Sequence, residues 1–365
     1  MTPEWWVSLL QAFVIINLVM GAFAYLTLAE RKVMGRMQLR YGPNRVGPFG
    51  LLQPIADLLK LLHKESFFPA AAIDWLYLLG PFLAAFTALT TFSVIPFGPG
   101  WDVGGVYIPG QVADVDIALI LVFAIGSLGV YGFIVGGWAS DSKYALLGSM
   151  RTCAQLVSYE VALALSVLGV VIMAGSLSLT EIVAAQGDSL WYAVPQFVGL
   201  VVFLLAKSLN LSAIVDKQID TVWFVVPQLV GFAVFILAGT AETSRAPFDL
   251  PEAESELVAG YHTEYGGMRF GLYTMSEYIN LITLSGLCVT LFLGGWHGPG
   301  WDGPSWLAPI WFLAKLVVLL YVFIWMRTTL PRLRYDQLMR FGWKVLLPLA
   351  TINAVITAVL VVWID

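Results

Sequence analysis

Seven nearly uncharged stretches of about 20 apolar residues constrain this chain more than any other feature of its sequence. A helix of about 20 residues crosses the ~30 Å hydrocarbon layer of a membrane. The stretches are 5–29, 75–97, 117–138, 153–175, 278–296, 306–326 and 345–364. Hydrophobic residues make up 59% of the chain and charged residues 12%, about half of the ~25% usual in soluble proteins. Too little polar surface exists to coat a soluble enzyme, so that class is excluded.

The positions of Lys and Arg predict which connections face the cytoplasm, because cytoplasmic loops retain basic residues. Most of the basic residues occur in four segments, at about 30–74, 139–152, 240–275 and 327–344. The alternating connections 98–116, 176–190 and 297–305 contain none. We therefore expect four cytoplasmic loops, with the amino terminus on the outside.

A near-repeat in the middle of the chain complicates this topology. The sequence VPQFVGLVVFLLA at 194–206 recurs as VPQLVGFAVFILA at 226–238, within two further apolar runs, 191–206 and 222–239. If both runs crossed fully, the Arg-rich segment 327–344 would face outside. We predict an all-α polytopic membrane protein, a single transmembrane helical domain over residues 1–365 with eight net crossings and one additional apolar helical segment. An ordinary extra helix in the bundle remains the alternative.

The stretch 49–68 is amphipathic rather than spanning. Its leucines and Ile55 recur at helical spacing, and Asp57, Lys60, His63 and Lys64 interrupt them. A helix of this kind lies in the membrane interface. Two interpretations are open: a lid that packs on the bundle, or a guide for a lipid-soluble ligand.

Carboxylates in the third basic segment and two charges inside apolar runs carry the chemical signal. The segment TAETSRAPFDLPEAESELVAGYHTEYGG contains Asp249, Glu252, Glu254, Glu256 and Glu264. Glu160 and Lys315 lie within the runs 153–175 and 306–326, where ionisable groups are usually functional. Crowded or desolvated carboxylates can exchange protons near neutral pH. The chain is thus suited to passing protons or cations partway into the bilayer, although a solvated acidic loop and a structural lysine paired with an acid would also fit.

Residues that bind redox groups do not occur in recognisable sets. His63, His262 and His297 fall outside the runs, and Cys153 and Cys288 are isolated, so the sequence predicts no haem, metal or iron–sulfur site. Neither GxGxxG after a strand nor GxxxxGK[ST] occurs. Any redox function must therefore be shared with partner subunits.

Four long blocks, one in each basic segment, resemble the respiratory complex I subunit 1 family, which includes the H subunit of bacterial NADH–quinone oxidoreductase. They are AERKVMGRMQLRYGPNRVGPFGLLQPIADLLKL from Ala29, DSKYALLGSMRTCAQLVSYE from Asp141, APFDLPEAESELVAGYHTEYGGMRFG from Ala246 and LPRLRYDQLMRFGWK from Leu330. The resemblance covers essentially the whole chain. The doubled VPQ segment departs from the family pattern, which has one copy.

The resemblance implies a membrane subunit of the bacterial inner membrane, at the junction between the hydrophilic arm and the membrane arm of a proton-pumping complex. It implies a bound quinone, ubiquinone or menaquinone, in a chamber near Arg36, Arg45, Asp57 and Lys60. It also implies an acidic proton relay, onto which these residues fall: Glu160, Asp249, Glu252, Glu254, Glu256 and Glu264. NADH, FMN and iron–sulfur clusters would bind to partner subunits, and no nucleic acid is involved.

The residues themselves leave other interpretations open. The basic residues are also typical of positive-inside anchors, and YGPNRVGP from Tyr41 of a rigid turn. The family also resembles membrane subunits of some energy-converting hydrogenases, so the resemblance leaves the set of partner subunits open. An independent cation–proton antiporter would also use the acids and Lys315, and a docking scaffold would need no ligand. Long basic loops rich in Gly and Pro favour a chain that holds a large partner over a lone antiporter.

Overall fold

A computed structural model describes residues 5–103, 106–186, 228–250, 258–298 and 305–364. Within these ranges the chain forms eleven α-helices and one two-stranded antiparallel hairpin, β1 (Trp101–Val103) and β2 (Val106–Ile108), in which Trp101 pairs with Ile108. The helices are α1 (Trp5–Met37), α2 (Gln53–His63), α3 (Asp74–Phe92), α4 (Ala118–Ala139), α5 (Lys143–Ala174), α6 (Leu179–Ala184), α7 (Leu229–Glu242), α8 (Gly267–Phe292), α9 (Ala308–Thr329), α10 (Tyr335–Phe341) and α11 (Leu347–Ile364).

Seven helical stretches are long and apolar enough to cross a membrane: α1, α3, α4, α5, α8, α9 and the continuous stretch from α10 through α11. Each predicted run lies in one of them apart from its end residues, which confirms an all-α polytopic membrane protein. The 14-residue helix α7 begins at Leu229, within the run 222–239, and continues beyond this run to Glu242. The run 191–206, and with it the first copy of the repeat, lies outside the described residues.

Helix α8 forms the centre of the bundle. Every residue from Leu281 to Phe292 is buried, as expected for a helix that is surrounded on all sides. It packs against α1, α3 and α9. By contrast, α1 exposes large apolar side chains such as Leu9 and Phe13, which suits a helix at the periphery facing lipid.

Several helices extend well beyond the apolar runs on the side of the basic segments. Helix α5 begins at Lys143 rather than near Cys153, and α8 begins at Gly267 rather than near Tyr278. The end of the hydrocarbon layer removes the need for apolar side chains, but it does not stop the helix. These extensions carry polar residues into the space where the helices meet.

One helical turn between α10 and α11 is wider than the others. Gly342–Leu346 form a π-turn, so that the helix continues without a break but with one extra residue in this turn. The hydroxyl of Tyr159 in α5 donates a hydrogen bond to the Leu338 carbonyl at 2.9 Å. A Cβ atom added at Gly342 would lie 3.2 Å from the ring of Tyr159, so the π-turn itself also packs against the middle of α5.

Helix α2 confirms the amphipathic helix predicted within 49–68. Ile55, Leu58, Leu59 and Leu62 lie on one stripe at the spacing i, i+3, i+4, i+7, and each is about half exposed. A carboxylate oxygen of Asp57 accepts a hydrogen bond from Arg31 of α1 at 2.8 Å. The helix therefore lies against the end of α1, and among the described residues its apolar stripe remains about half exposed.

Candidate functional site

Three glutamates line one cavity inside the helix bundle, which we call the acidic cavity. Glu160 of α5, Glu242 at the end of α7 and Glu277 of α8 contribute its carboxylates, and residues of α4 complete the wall. Its volume of about 70 Å³ is several times the ~10–15 Å³ that one water occupies. Carboxylates that crowd one another in such a site are able to share protons.

Hydroxyl groups orient two of these carboxylates. Ser127 of α4 donates a hydrogen bond to Oε1 of Glu160, and Tyr261 donates one to Oε1 of Glu277. Within the part of the chain that the structure describes, Oε2 of Glu242 is buried without a hydrogen-bond donor, and Glu160 repels its charge. The cavity thus contains two carboxylates that are oriented by hydroxyl groups and a third, Glu242, whose Oε2 can accept a proton.

Sequence reasoning identified Glu160 but missed Glu242 and Glu277. Both lie just beyond the ends assigned to apolar runs, three residues after Gly239 and one residue before Tyr278. The helices continue through these positions. Extending each run by one helical turn would have included both acids.

A buried ion cluster lies at the cytoplasmic end expected for α1. The carboxylate of Glu30, 2% exposed, accepts hydrogen bonds from Arg245 at 2.9 Å and from Arg327. The guanidinium of Arg245 also stacks on the ring of Tyr278, 4.1 Å from its centroid. Burial disfavours the charged form of Arg245, but Glu30, Tyr278 and Glu277 outweigh it and raise its pKa above the ordinary value. The cluster ties three separate parts of the chain together.

The acidic segment predicted from the sequence is only partly described. Asp249 is bound by Arg332 at 2.7 Å, which joins the segments 240–275 and 327–344. The backbone carbonyl of Glu264 accepts a hydrogen bond from Tyr77 at 2.7 Å. Glu252, Glu254 and Glu256 lie outside the described residues. Neither Asp249 nor Glu264 lines the acidic cavity.

His262 lies between the acidic segment and α8, against the rings of Tyr261 and Phe270, whose centroids are 5.0 and 5.2 Å from its own. Burial lowers the pKa of His262 to about 4, and Asp249 opposes this shift only in part. The imidazole is therefore neutral at physiological pH.

The predicted quinone residues lie on the surface formed by the first basic segment and α2. Arg36, Arg45 and Lys60 are exposed, whereas Asp57 is partly buried between Arg31 and Gln53. The exposed guanidinium groups are accessible to a ligand or to a partner protein. Asp57 is bound within the chain and holds α2 in place.

Lys315 is separated from the other predicted relay residues. Its ammonium donates hydrogen bonds to the backbone carbonyls of Leu293, Gly295 and His297 just after the end of α8. Leu293 is the carboxyl cap residue of α8, and Gly295 and His297 follow it. A cation at a helix carboxyl end is favourable. Lys315 is absent from the wall of the acidic cavity, and these three hydrogen bonds place its charge at the carboxyl end of α8.

Together these features define a helical integral membrane protein that encloses an acidic cavity and presents a basic loop beside an amphipathic helix. The sequence matches the family described as NADH dehydrogenase over residues 10–207 and 196–358. The chain belongs to this family.

Curated relatives agree over nearly their whole length, and each is the H subunit of an NADH-quinone oxidoreductase. The chain is 49% identical to the first such protein of Geobacter metallireducens, over 96% of this chain and 95% of the relative. It is 50% identical to the second such protein of Geobacter sulfurreducens, over 94% and 92% of the two chains. The corresponding protein of Rhodospirillum rubrum is 46% identical, over 98% and 95%.

Proposed function

We propose that this chain is a membrane subunit of a proton-pumping NADH–quinone oxidoreductase, in which it forms part of the quinone chamber and couples quinone reduction to proton movement. The acidic cavity is the observation that carries the coupling part of this proposal. Three carboxylates from three helices face one small space, where protonation of one changes the charge that the others experience.

The surface around α2 supports a quinone site. A quinone carries two carbonyl acceptors and gains negative charge when it is reduced, so the exposed guanidiniums of Arg36 and Arg45 would bind the reduced form more strongly. Asp57 and Lys60 would lie at the mouth of the chamber. The apolar stripe of α2 offers Leu58 and Leu62, each about half exposed, to an isoprenoid tail in the interface.

The proton relay would include Glu160, Glu242 and Glu277, with Asp249, Glu252, Glu254, Glu256 and Glu264 on its cytoplasmic side. Lys315 belongs to this relay only if it exchanges a proton as well as capping α8. NADH, FMN and iron–sulfur clusters would be held by hydrophilic partner subunits, and other membrane subunits would receive the protons.

The test is to replace Glu160 and Glu242 by Gln, singly and together, in the assembled complex. Glutamine keeps the size of the side chain but cannot carry a proton. We expect NADH–quinone turnover and proton pumping to fall by on the order of 10²-fold, the scale of a lost proton-transfer group, while NADH oxidation by a soluble artificial acceptor stays unchanged.

Glu181→Gln is a matched control, because Glu181 is exposed in the short helix α6 and lies outside the acidic cavity. Normal quinone turnover and pumping in the Glu160→Gln/Glu242→Gln double variant would overturn the coupling proposal. Purification in mild detergent separates the alternatives: co-isolation with flavin-bearing and cluster-bearing subunits excludes a lone antiporter, and a hydrogenase partner set would identify the related complex instead.

A further inference from the structure

Five aromatic rings form a continuous contact from the segment after α2 to the acidic cavity. We call this set, Phe68, Tyr77, Tyr265, Tyr273 and Tyr261, the aromatic column. Ring centroids are 5.5 Å apart for Phe68 and Tyr77, 4.1 Å for Tyr77 and Tyr265, 5.0 Å for Tyr265 and Tyr273, and 5.2 Å for Tyr273 and Tyr261. The column ends at the hydroxyl of Tyr261, which donates to Glu277.

The two ends of the column differ in exposure. Phe68 is 40% exposed, whereas Tyr261 and Tyr273 are each 1% exposed. Arg269 holds the exposed end: its guanidinium lies 3.8 Å from the centroid of Phe68 and donates to the Phe67 carbonyl at 3.2 Å. A displacement of the segment after α2 therefore moves the ring of Phe68, the first ring of the column.

The aromatic column is closely packed against neighbouring helices. A Cβ atom added at Gly136 would lie 1.9 Å from the Tyr273 hydroxyl oxygen, so α4 and this ring are already in closest contact. A Cβ atom at Gly148 of α5 would lie 2.7 Å from the backbone nitrogen of Tyr261. Close-packed interiors transmit displacement rather than absorb it, and here both walls of the column are backbone.

Hydroxyl partners distinguish Tyr261 from the other tyrosines. Tyr273 donates to the Gly132 carbonyl at 3.1 Å, and Tyr265 donates to the carbonyls of Tyr77 and Gly136. These bonds fix the rings to the backbone of α3 and α4. The hydroxyl of Tyr261 reaches a carboxylate of the cavity instead, where a neutral hydroxyl stabilises and orients a charge.

We propose that Tyr261 is a positioning residue for Glu277, and that the aromatic column makes this hydrogen bond depend on the position of the segment after α2. One consequence of this proposal rests on the proposed function: a quinone bound beside α2 would change the orientation of the Glu277 carboxylate in the acidic cavity. The hydrogen bond itself is a property of this chain and can be measured without turnover.

The test uses infrared difference spectroscopy of the assembled complex, with the Glu277 band assigned by its loss in Glu277→Gln. Tyr261→Phe keeps the ring and removes the hydroxyl, so we expect the Glu277 band to shift. Tyr159→Phe is the matched control, because it removes a buried hydroxyl that donates to the backbone carbonyl of Leu338 and lies outside both the aromatic column and the wall of the acidic cavity, and it should leave the band in place. An unshifted band in Tyr261→Phe would overturn the positioning role.

A double-variant cycle tests the column. Phe68→Ala should shift the Glu277 band when Tyr261 is present and cause no further shift in the Tyr261→Phe background. Phe67→Ala is its control, since Phe67 meets Arg269 through its carbonyl. Equal shifts from Phe68→Ala in both backgrounds, or no shift in either, would overturn the transmission through the column.

Turnover supplies a separate measurement. Tyr261→Phe should lower quinone turnover by on the order of tenfold, the scale of one hydrogen bond to a charged group, and Tyr159→Phe should not. If the band shifts while turnover is unchanged, the hydrogen bond stands and the coupling function of Glu277 fails. If turnover falls without a band shift, Tyr261 acts by another route and the inference is wrong.

Discussion

Glu30 shows how a residue inside a conventional basic segment can hold a membrane protein together. The sequence AERK places it beside Arg31 and Lys32, and its neighbours suggest only a solvated, positive-inside end. In the fold it is buried and satisfied by two guanidiniums from residues 215 and 297 positions away. Those partners could not be inferred from one sequence, because the contact depends on how three distant parts of the chain meet.

We expect Glu30→Gln to destabilise the assembled complex strongly. The change leaves Arg245 buried without its ion-pair partner, and removing one partner of a buried pair costs about 3–5 kcal/mol. Arg327→Gln should cost less, because the side chain of Arg327 is 30% exposed and Glu30 retains Arg245. Thermal unfolding of the two purified variants compares them, and equal loss in both would contradict this ranking.

His262 predicts an acid-sensitive contribution to stability. Its pKa is about 4 in the fold against an ordinary value of 6.5, so the unfolded chain binds more protons between these values. The contribution is fully present above about pH 6.5 and is lost as the pH falls toward 4. Replacing His262 by Gln should flatten this part of the pH dependence, measured as thermal midpoints from pH 7 to 4.5. An unchanged profile in His262→Gln would assign the acid sensitivity to other groups.

At the scale of elements, the lengths of the apolar runs predicted which parts of the chain form spanning helices, but they did not predict where those helices begin and end. The seven runs each matched a helix, and the spacing of Ile55, Leu58, Leu59 and Leu62 predicted α2. The starts of α5 and α8 were missed by ten and eleven residues, because charged residues continue a helix outside the hydrocarbon layer. Glu242 and Glu277 were overlooked for the same reason, so only Glu160 of the three carboxylates in the acidic cavity was named from the sequence.

The close approach of α5 to the turn Gly260–His262 gives a prediction for this element. Gly148→Ala should displace the turn, because the new methyl group would lie 2.7 Å from backbone atoms of Gly260 and Tyr261. We expect a lower yield of assembled complex and a lower thermal midpoint. Gly21→Ala in α1 is the matched control, since nothing lies within 4 Å of its Cβ position and alanine favours a helix by about 1 kcal/mol. Similar behaviour of both variants would show that the turn adapts.

The whole molecule is defined by how many times its chain crosses the membrane. Eight net crossings with the amino terminus outside require the carboxyl terminus to lie outside as well, whereas nine would place it in the cytoplasm. Basic residues predict the first arrangement, and the described helices include seven long spans and the shorter α7. The sequence predicts sidedness, but it does not predict how the repeated VPQ segment is accommodated.

A reporter fusion tests this topology. Alkaline phosphatase, which folds only outside the cytoplasm because it needs disulfides, should be active when fused after Ile364. The same enzyme fused after Ser142, in the predicted cytoplasmic loop 139–152, should be inactive at equal expression. Activity at Ser142, or its absence after Ile364, would contradict the predicted sidedness.

The π-turn at Gly342–Leu346 makes the last span sensitive to chain length rather than to side-chain chemistry. Each residue advances a helix by about 100°, so an added residue rotates everything before it relative to everything after it. Removing one residue here would restore an ordinary α-turn and swing α10 about a quarter-turn around its axis, and the Leu338 carbonyl would leave Tyr159. The extra residue in the π-turn therefore sets the direction of the preceding segment, in which Arg332 contacts Asp249.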